Sequence, residues 1–514
     1  MVKTIGIKQA ILGVSGIVII SKLLGFLREM VIAERFGTSR EYDIYLIAIA
    51  APVFLNMVIS RATNFLTVPF LTRQASSNTS DISGRRAIWS AFNSMILVVF
   101  LIILLVAILA PYLVSAVGPG LDGEELARAV FFCRIISVML LLGFLESFLR
   151  SALNVKKNFV YPVVGTIVLN ITVITIIYIF SGRWSVAAIL YGLLIGMVLQ
   201  IIFLILKAFN FGQLKYFNLN IFGGEIKKVL GVGGILILVE LVASTFFLID
   251  RYYASGMIEG VVSALNYSSL LVMLPINIAG FAIASVIFPY LSERADYKSK
   301  NDFASLLRTS LGLALTIGLP CGIFYVLFAA ELTAAVFFRG AFNAYSLEIT
   351  SRILATMSPY LVFMFLYTIL IQACYAVNQQ KKVLLISILA FVLKFVLTGL
   401  FKTWFDYPGI GAATSVVSGT TICLLLLVLV RGGNLTGLAS MSSLIARILL
   451  ASLPMVLIAL FYNSLPGFYG GMSLVSKFRV IGAGALSFLF YIGIGYLVKI
   501  DEIRSALTSL KRRR

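Results

Sequence analysis

Ten ionisable residues stand inside stretches apolar enough to be membrane spans: Lys22, Arg28 and Glu29; Arg61; Arg134 and Glu146; Glu240, Asp250 and Arg251; and Lys394. An ionised side chain at mid-membrane costs at least ~2.5–3.5 kcal/mol, so it faces a cavity or a partner. Arg134, Glu146 and Arg251 lie close enough to span ends for long side chains to reach the interface. The weight therefore falls on Lys22, Arg28, Arg61, Asp250 and Lys394. In Ser21-Lys22-Leu23-Leu24-Gly25-Phe26-Leu27-Arg28-Glu29, Lys22 and Glu29 are seven apart and share a helix face, where they pair or flank a common ligand. That leaves Arg28 as the least compensated cation, and its planar guanidinium suits phosphate oxygens. With Arg61 one span away, the chemistry indicated is binding of an anionic, phosphate-bearing substrate in a cavity of the N-terminal half. The plainer alternative is that Arg28 ties the first span to a carboxylate such as Asp43. Asp250 and Lys394 form a second pair of opposite sign, expected to be an internal ion pair, because burying either charge alone is expensive.

Other chemistries lack their residues. The chain has no histidine, no GxxxxGK[ST] and no HExxH. No enzyme activity, ATP hydrolysis, metal centre or resident cofactor is expected. Cys133, Cys321, Cys374 and Cys423 lie in apolar segments without CxxC spacing and are expected to be packing residues.

The elements that position these residues are helices. Of 514 residues 60% are hydrophobic and only 12% charged, against ~25% charged in a soluble domain. One span takes ~20 apolar residues, so the length leaves room for many spans and no sizeable soluble domain. Runs such as 93–113 and 421–430 lack the alternation of a membrane β-strand. Apolar runs place spans at about 10–36, 42–71, 87–117, 126–152, 159–181, 184–207, 228–254, 261–290, 304–330, 348–377, 382–404, 409–431, 442–463 and 476–499, fourteen in all. The net charge of +20 would suggest nucleic acid in a soluble protein. Here the basic residues collect in alternate loops, including Arg73, Arg85 and Arg86, then Lys156 and Lys157, then Lys381 and Lys382. That pattern is the positive-inside rule, so a multi-pass cytoplasmic-membrane protein with both termini cytoplasmic is expected, with no nucleic-acid partner. No removable signal peptide is expected at the basic N-terminal segment. The run Lys511-Arg512-Arg513-Arg514 would rest against anionic headgroups.

The chain also reads as duplicated. A shift of 223 aligns Arg28 with Arg251, Gly37 with Gly260 and Pro52 with Pro275; 224 aligns Asn154 and Lys157 with Asn378 and Lys381; and 225 aligns Ala187-Ala188 with Ala412-Ala413. The span ends 68–74 and 287–294 also match across a short gap. Two like-oriented six-helix bundles, 1–220 and 221–432, around a central cavity are expected, with two extra helices and a basic tail in 433–514. This is the usual frame for alternating access, so a transporter, working as a monomer, is the leading class.

The segment SKLLGFLREMVIAERFGTSREYDIYLIAIAAP, residues 21–52, resembles the first two spans of the MurJ/MviN lipid II flippases of the multidrug/oligosaccharidyl-lipid/polysaccharide exporter superfamily. The shared pattern is Ser-[Arg/Lys]-x-Leu-Gly-x-x-Arg-[Asp/Glu], then Phe-Gly, an Asp five to seven residues on, and a Pro in the second span. The resemblance implies a flippase that carries a polyprenyl-pyrophosphate-linked saccharide from the cytoplasmic to the outer leaflet. It implies that Arg28 and Asp43 are required and that the last two helices form a groove for the lipid tail. Lys22, Glu29, Asn56 and Arg61 complete the expected substrate site, and Glu240 joins Asp250 and Lys394 as a coupling set. Where the family carries an arginine pair after the span 2 proline this chain has Asn56-Met57; where it carries a glutamate a turn later, Arg61; and the family's span 8 arginine falls at Leu270. Another lipid-linked glycan, such as a polysaccharide repeat unit, and a multidrug or cation antiporter of the same superfamily are the alternatives. Some relatives bind sodium between spans 7 and 11; Lys394 near that position implies sodium-independent activity.

Overall fold

The computed structural model describes residues 2–76, 82–208, 235, 238–296, 300–435, 438–463 and 474–511. Among them, regular secondary structure is helical throughout. Among the described residues eleven helices are long and apolar enough to cross a membrane, from Arg40–Asn64 to Met441–Tyr462, with a shorter apolar helix at Gly482–Leu497. Eleven of the fourteen expected spans correspond to these, and the shorter helix corresponds to the last. The first expected span lies in a 35-residue helix, α1 (Val2–Phe36). Part of the seventh, 228–254, lies outside the described residues, as does the expected bundle boundary at 220/221.

The chain forms two compact units, Met1–Glu259 and Gly260–Arg514. In the first, α2 (Arg40–Ala48) and α3 (Ala50–Ser76) follow α1, then α4 (Ile82–Val117), α5 (Gly123–Ile136), α6 (Met139–Val155), α7 (Val160–Trp184), α8 (Ala187–Ala208) and α9 (Phe246–Ala254). Ser39 starts α2: its side chain accepts from the Tyr42 amide, and Glu41 and Asp43 face the positive end of the helix. Small residues let the spans approach, because lipid supplies no hydrophobic drive between helices. Gly192 and Gly196 on α8 rest on Val173 and Leu169 of α7. Leu101, Ile108 and Ile179 stay exposed, as side chains facing hydrocarbon must.

The second unit contains α10 (Val261–Pro275), a π-helical turn at Ile276–Gly280, α11 (Phe281–Asp296), α12 (Lys300–Leu327), α13 (Ala329–Phe337), α14 (Ala344–Ala376), α15 (Gln380–Phe405), α16 (Pro408–Arg431), α17 (Leu438–Asn463), α18 (Leu474–Leu497) and α19 (Asp501–Lys511). The helices of the C-terminal appendage pack on this unit: α17 lies along α12, and the Tyr491 hydroxyl of α18 donates to the Thr316 carbonyl at 2.8 Å.

The turns of the two units match. Left-handed backbone occurs at Gly37, Gly123, Lys157 and Ser185, and again at Gly260, Gly340, Asn378 and Asp406. Lys157 N–H donates to Asn154 and Asn158 N–H to Leu153; in the second unit Asn378 donates to Tyr375 and Gln379 to Cys374. Ala188 donates to Ser185, as Gly409 does to Asp406. These ladders set an offset of 221 at both turns. Gly37 and Gly260 keep the sequence register of 223, but the 224 and 225 pairings are corrected: Lys157 corresponds to Asn378 and Ala188 to Gly409. Identical small or polar residues recur by chance among apolar spans, whereas a helix end has one hydrogen-bond pattern.

Candidate functional site

α1 carries Arg28 and Glu29 into the first unit. The Arg28 guanidinium pairs with its neighbour: Nη2 is 2.5 Å and Nε 3.1 Å from Glu29 Oε1. Nη1 donates to Asn170 Oδ1 on α7 at 3.2 Å. Asn170 is buried beside Gly25, where a Cβ would lie 3.7 Å from its Nδ2, an ordinary contact. Among the described residues, three of the five N–H groups of Arg28 find an acceptor and two do not.

This arrangement corrects one expectation. Glu29 pairs with Arg28 and not with Lys22, which is exposed; seven residues span ~10 Å along a helix, too far for an easy contact, whereas the long arginine folds back on its neighbour. Arg28 is therefore compensated. Asp43 is 1% exposed in the first turn of α2, where it acts electrostatically on Arg40.

Arg251 on α9 is the residue that sequence reasoning underrated. Its guanidinium lies 5.1 Å from the Phe247 ring centroid, and its Nη1 is buried without a hydrogen-bond partner. Arg28, Glu29 and Arg251 all act electrostatically on the buried, stacked Tyr42 and Tyr45 of α2. The repeat that aligns Arg251 with Arg28 was the available signal, and closeness to a span end obscured it. Arg28 and Arg251 thus keep guanidinium N–H groups with no hydrogen-bond partner among the described residues, on two helices of the first unit. Guanidinium N–H groups suit oxyanions.

The other candidates separate. Asn56 on α3 packs against Gly143 of α6, so that a Cβ at 143 would strike its carboxamide, and its Oδ1 is buried without a hydrogen-bond partner. Arg61 forms an ion pair with Glu240, with both side chains largely exposed. Glu146 pairs with Arg150 at 2.5 Å, and Arg134 Nε donates to the Ala107 carbonyl at 3.1 Å. In the second unit Lys394 on α15 is fully buried, and its Nζ donates to Thr414 Oγ1 on α16 at 2.6 Å. Asp250 lies on α9 of the first unit, half-buried.

A cluster unforeseen in the sequence closes one end of the first unit. Arg40 Nε and Nη2 form a two-pronged pair with the Glu125 carboxylate at 2.9 and 2.7 Å, and Nη2 also donates to the Gly120 carbonyl at 3.2 Å. Its backbone N–H donates to Glu259 Oε1 at 2.7 Å. Gly120 N–H donates to Ser255 Oγ at 3.2 Å, and a Cβ at 120 would meet the Ser255 backbone. Gly120→Ala is expected to cost about 1–3 kcal/mol by overpacking backbone on backbone. Gly182→Ala, with nothing within 4 Å, is expected to be neutral or stabilising in the same thermal melt.

Apolar helices in two compact units, with cations held inside the first, define a polytopic membrane transporter. Its fold matches an inward-facing multidrug resistance MATE family transporter of the MOP superfamily, at a TM-score of 0.64 and 15% identity over 80% of this chain and 95% of that one. A structure of a lipid II flippase MurJ in an inward closed conformation aligns better, at a TM-score of 0.79 and 21% identity over 96% of this chain and all of the other. The family model described as lipid II flippase MurJ matches residues 32–478, and the chain belongs to that family. Similar sequences include the lipid II flippase MurJ of Burkholderia cenocepacia, 26% identical over 74% of this chain and 75% of the relative. The probable lipid II flippase MurJ of Buchnera aphidicola subsp. Schizaphis graminum is 24% identical over 88% of this chain and 89% of the relative.

Proposed function

We propose that this chain translocates lipid II, a polyprenyl-pyrophosphate-linked saccharide, from the cytoplasmic to the outer leaflet of the inner membrane. It does so by alternating access, as a monomer with both termini in the cytoplasm. The observation that carries the reading is the pair of arginines, Arg28 and Arg251, with N–H groups uncommitted inside a membrane unit whose family is lipid II flippase MurJ. They receive the pyrophosphate while the polyprenyl chain stays in hydrocarbon. Asp43 holds the start of α2, and Lys22, Asn56 and the Arg61–Glu240 pair border the path of the headgroup. A cation antiporter is disfavoured because uncommitted guanidinium groups inside the first unit repel its substrate.

The test is reconstitution of the purified chain into vesicles with labelled lipid II on the inner leaflet, read as its appearance outside. Translocation is expected, and at an unchanged rate when sodium is replaced by potassium or choline, because the Lys394 ammonium supplies a tethered positive charge. A rate that collapses on removing sodium would refute the role given to Lys394. Efflux of cationic drugs without movement of lipid II would replace the flippase reading with the antiporter.

A further inference from the structure

At the end of the second unit where α12 and α17 begin and α18 turns into α19, a pocket of about 290 Å³ opens between the helices. Its walls carry charge of both signs: Arg308, Arg447 and Lys499 against Asp501 and Glu502. These opposite charges share one pocket, yet among the described residues none of the five forms a salt bridge with another. Arg308 Nε is buried with no hydrogen-bond partner, which leaves a costly unsatisfied donor. Arg447 lines the pocket, and its Nη1 donates to the Lys499 carbonyl at 3.0 Å, which fixes one edge of its fork. The Glu502 carboxylate rests on the backbone of α12 at Gly312, where a Cβ would displace it. The remaining lining includes Met441 and Leu444.

Depth in the membrane narrows the ligand. α19 repeats apolar residues at Ile503, Ala506, Leu507 and Leu510, the spacing of one helix face, and Ile503 is buried. Arg504 covers the Tyr496 ring at 5.2 Å and donates to the Tyr496 carbonyl. An amphipathic helix that leaves a span in this way lies in the plane of the headgroups. The pocket therefore opens at headgroup depth.

We propose that this pocket binds the zwitterionic headgroup of a phosphatidylethanolamine, with the phosphate on Arg308, Arg447 and Lys499 and the primary ammonium on Asp501 and Glu502. Opposite charges that line one cavity without pairing are complementary to a ligand whose phosphate and ammonium are two carbons apart, and the ammonium offers three N–H donors to the carboxylates. The apolar edge at Met441 and Leu444 takes the start of the acyl chains. This site is separate from the one proposed for lipid II, and its test does not depend on transport.

The experiment is native mass spectrometry of the purified full chain titrated with phosphatidylethanolamine, phosphatidylcholine or phosphatidylglycerol of identical acyl chains. Wild type is expected to hold phosphatidylethanolamine about tenfold tighter than either of the others, the value of roughly one charge-assisted hydrogen bond. Asp501→Asn combined with Glu502→Gln removes the preference and leaves phosphatidylglycerol binding unchanged or stronger. Arg308→Gln weakens phosphatidylethanolamine and phosphatidylglycerol alike. Equal affinity of wild type for phosphatidylethanolamine and phosphatidylglycerol overturns the proposal, and that comparison needs no variant. Soluble phosphoethanolamine is expected not to displace the lipid at equal concentration; displacement would overturn the lipid assignment in favour of a water-soluble phosphate ester.

Discussion

Arg28→Ala is expected to abolish lipid II translocation while the protein inserts and purifies at wild-type levels. The substitution removes two N–H groups that the protein does not use and three that it does. Hydrogen bonds to a charged partner are worth about 1.5–3 kcal/mol, so the loss at the pyrophosphate corresponds to about 10–100-fold in affinity for the lipid. A second effect adds to it: Glu29, 9% exposed, keeps its carboxylate without a counter-charge and repels the incoming phosphate. Arg28→Ala combined with Glu29→Gln is therefore expected to recover part of the lipid binding and little of the transport. Arg28→Lys recovers less than a charge argument suggests, because a point charge cannot hold Glu29, Asn170 and a phosphate in one plane. Binding is read by co-purified lipid II in the mass spectrum, and transport in the reconstituted vesicles. Full translocation by Arg28→Ala would remove Arg28 from the site.

Lys394→Ala is expected to damage the protein more than Lys394→Met. Lys394 is completely buried in α15, and its Nζ donates to Thr414 Oγ1 on α16. Truncating a long buried side chain leaves a cavity and costs about 2–5 kcal/mol. Methionine loses the ammonium but keeps a chain of similar length, so yield and thermal stability are expected to fall less. Equal damage from the two changes would place the role of Lys394 in its charge and not in its stem. Thr414→Val supplies a scale: it removes one acceptor and is expected to cost about 1–3 kcal/mol.

Helices and their ends were legible because a bilayer leaves little choice. Backbone groups must be satisfied within the helix, and a 20-residue apolar run such as that in α4 has no other stable use. The family signature was legible because 21–52 sets two glycines, Gly25 and Gly37, four charges, Lys22, Arg28, Glu29 and Asp43, and a proline, Pro52, at fixed spacing. Partners were harder. Helical periodicity put Lys22 and Glu29 on one face, but an arginine side chain is long enough to override periodicity and reach the next residue, as Arg28 does. Asn170 gave no sign at all, since a lone asparagine in an apolar span looks the same whether it faces lipid, a neighbour or a ligand. The Arg40 cluster draws on residues 40, 120, 125, 255 and 259, brought together only by folding. Local pattern carries no information about such a meeting.

The turns of the two units outlast the residues that make them. Lys157 and Asn378 share no chemistry, nor do Ser185 and Asp406, yet each pair takes the same left-handed conformation at the same step of its unit. Non-glycine residues enter that region at a cost of roughly 1–2 kcal/mol. A conformation taken at a cost at the same step of both units is what a duplicated chain would keep. If the two units descend from one, the record of it stands in the sign of a dihedral angle and not in the side chains.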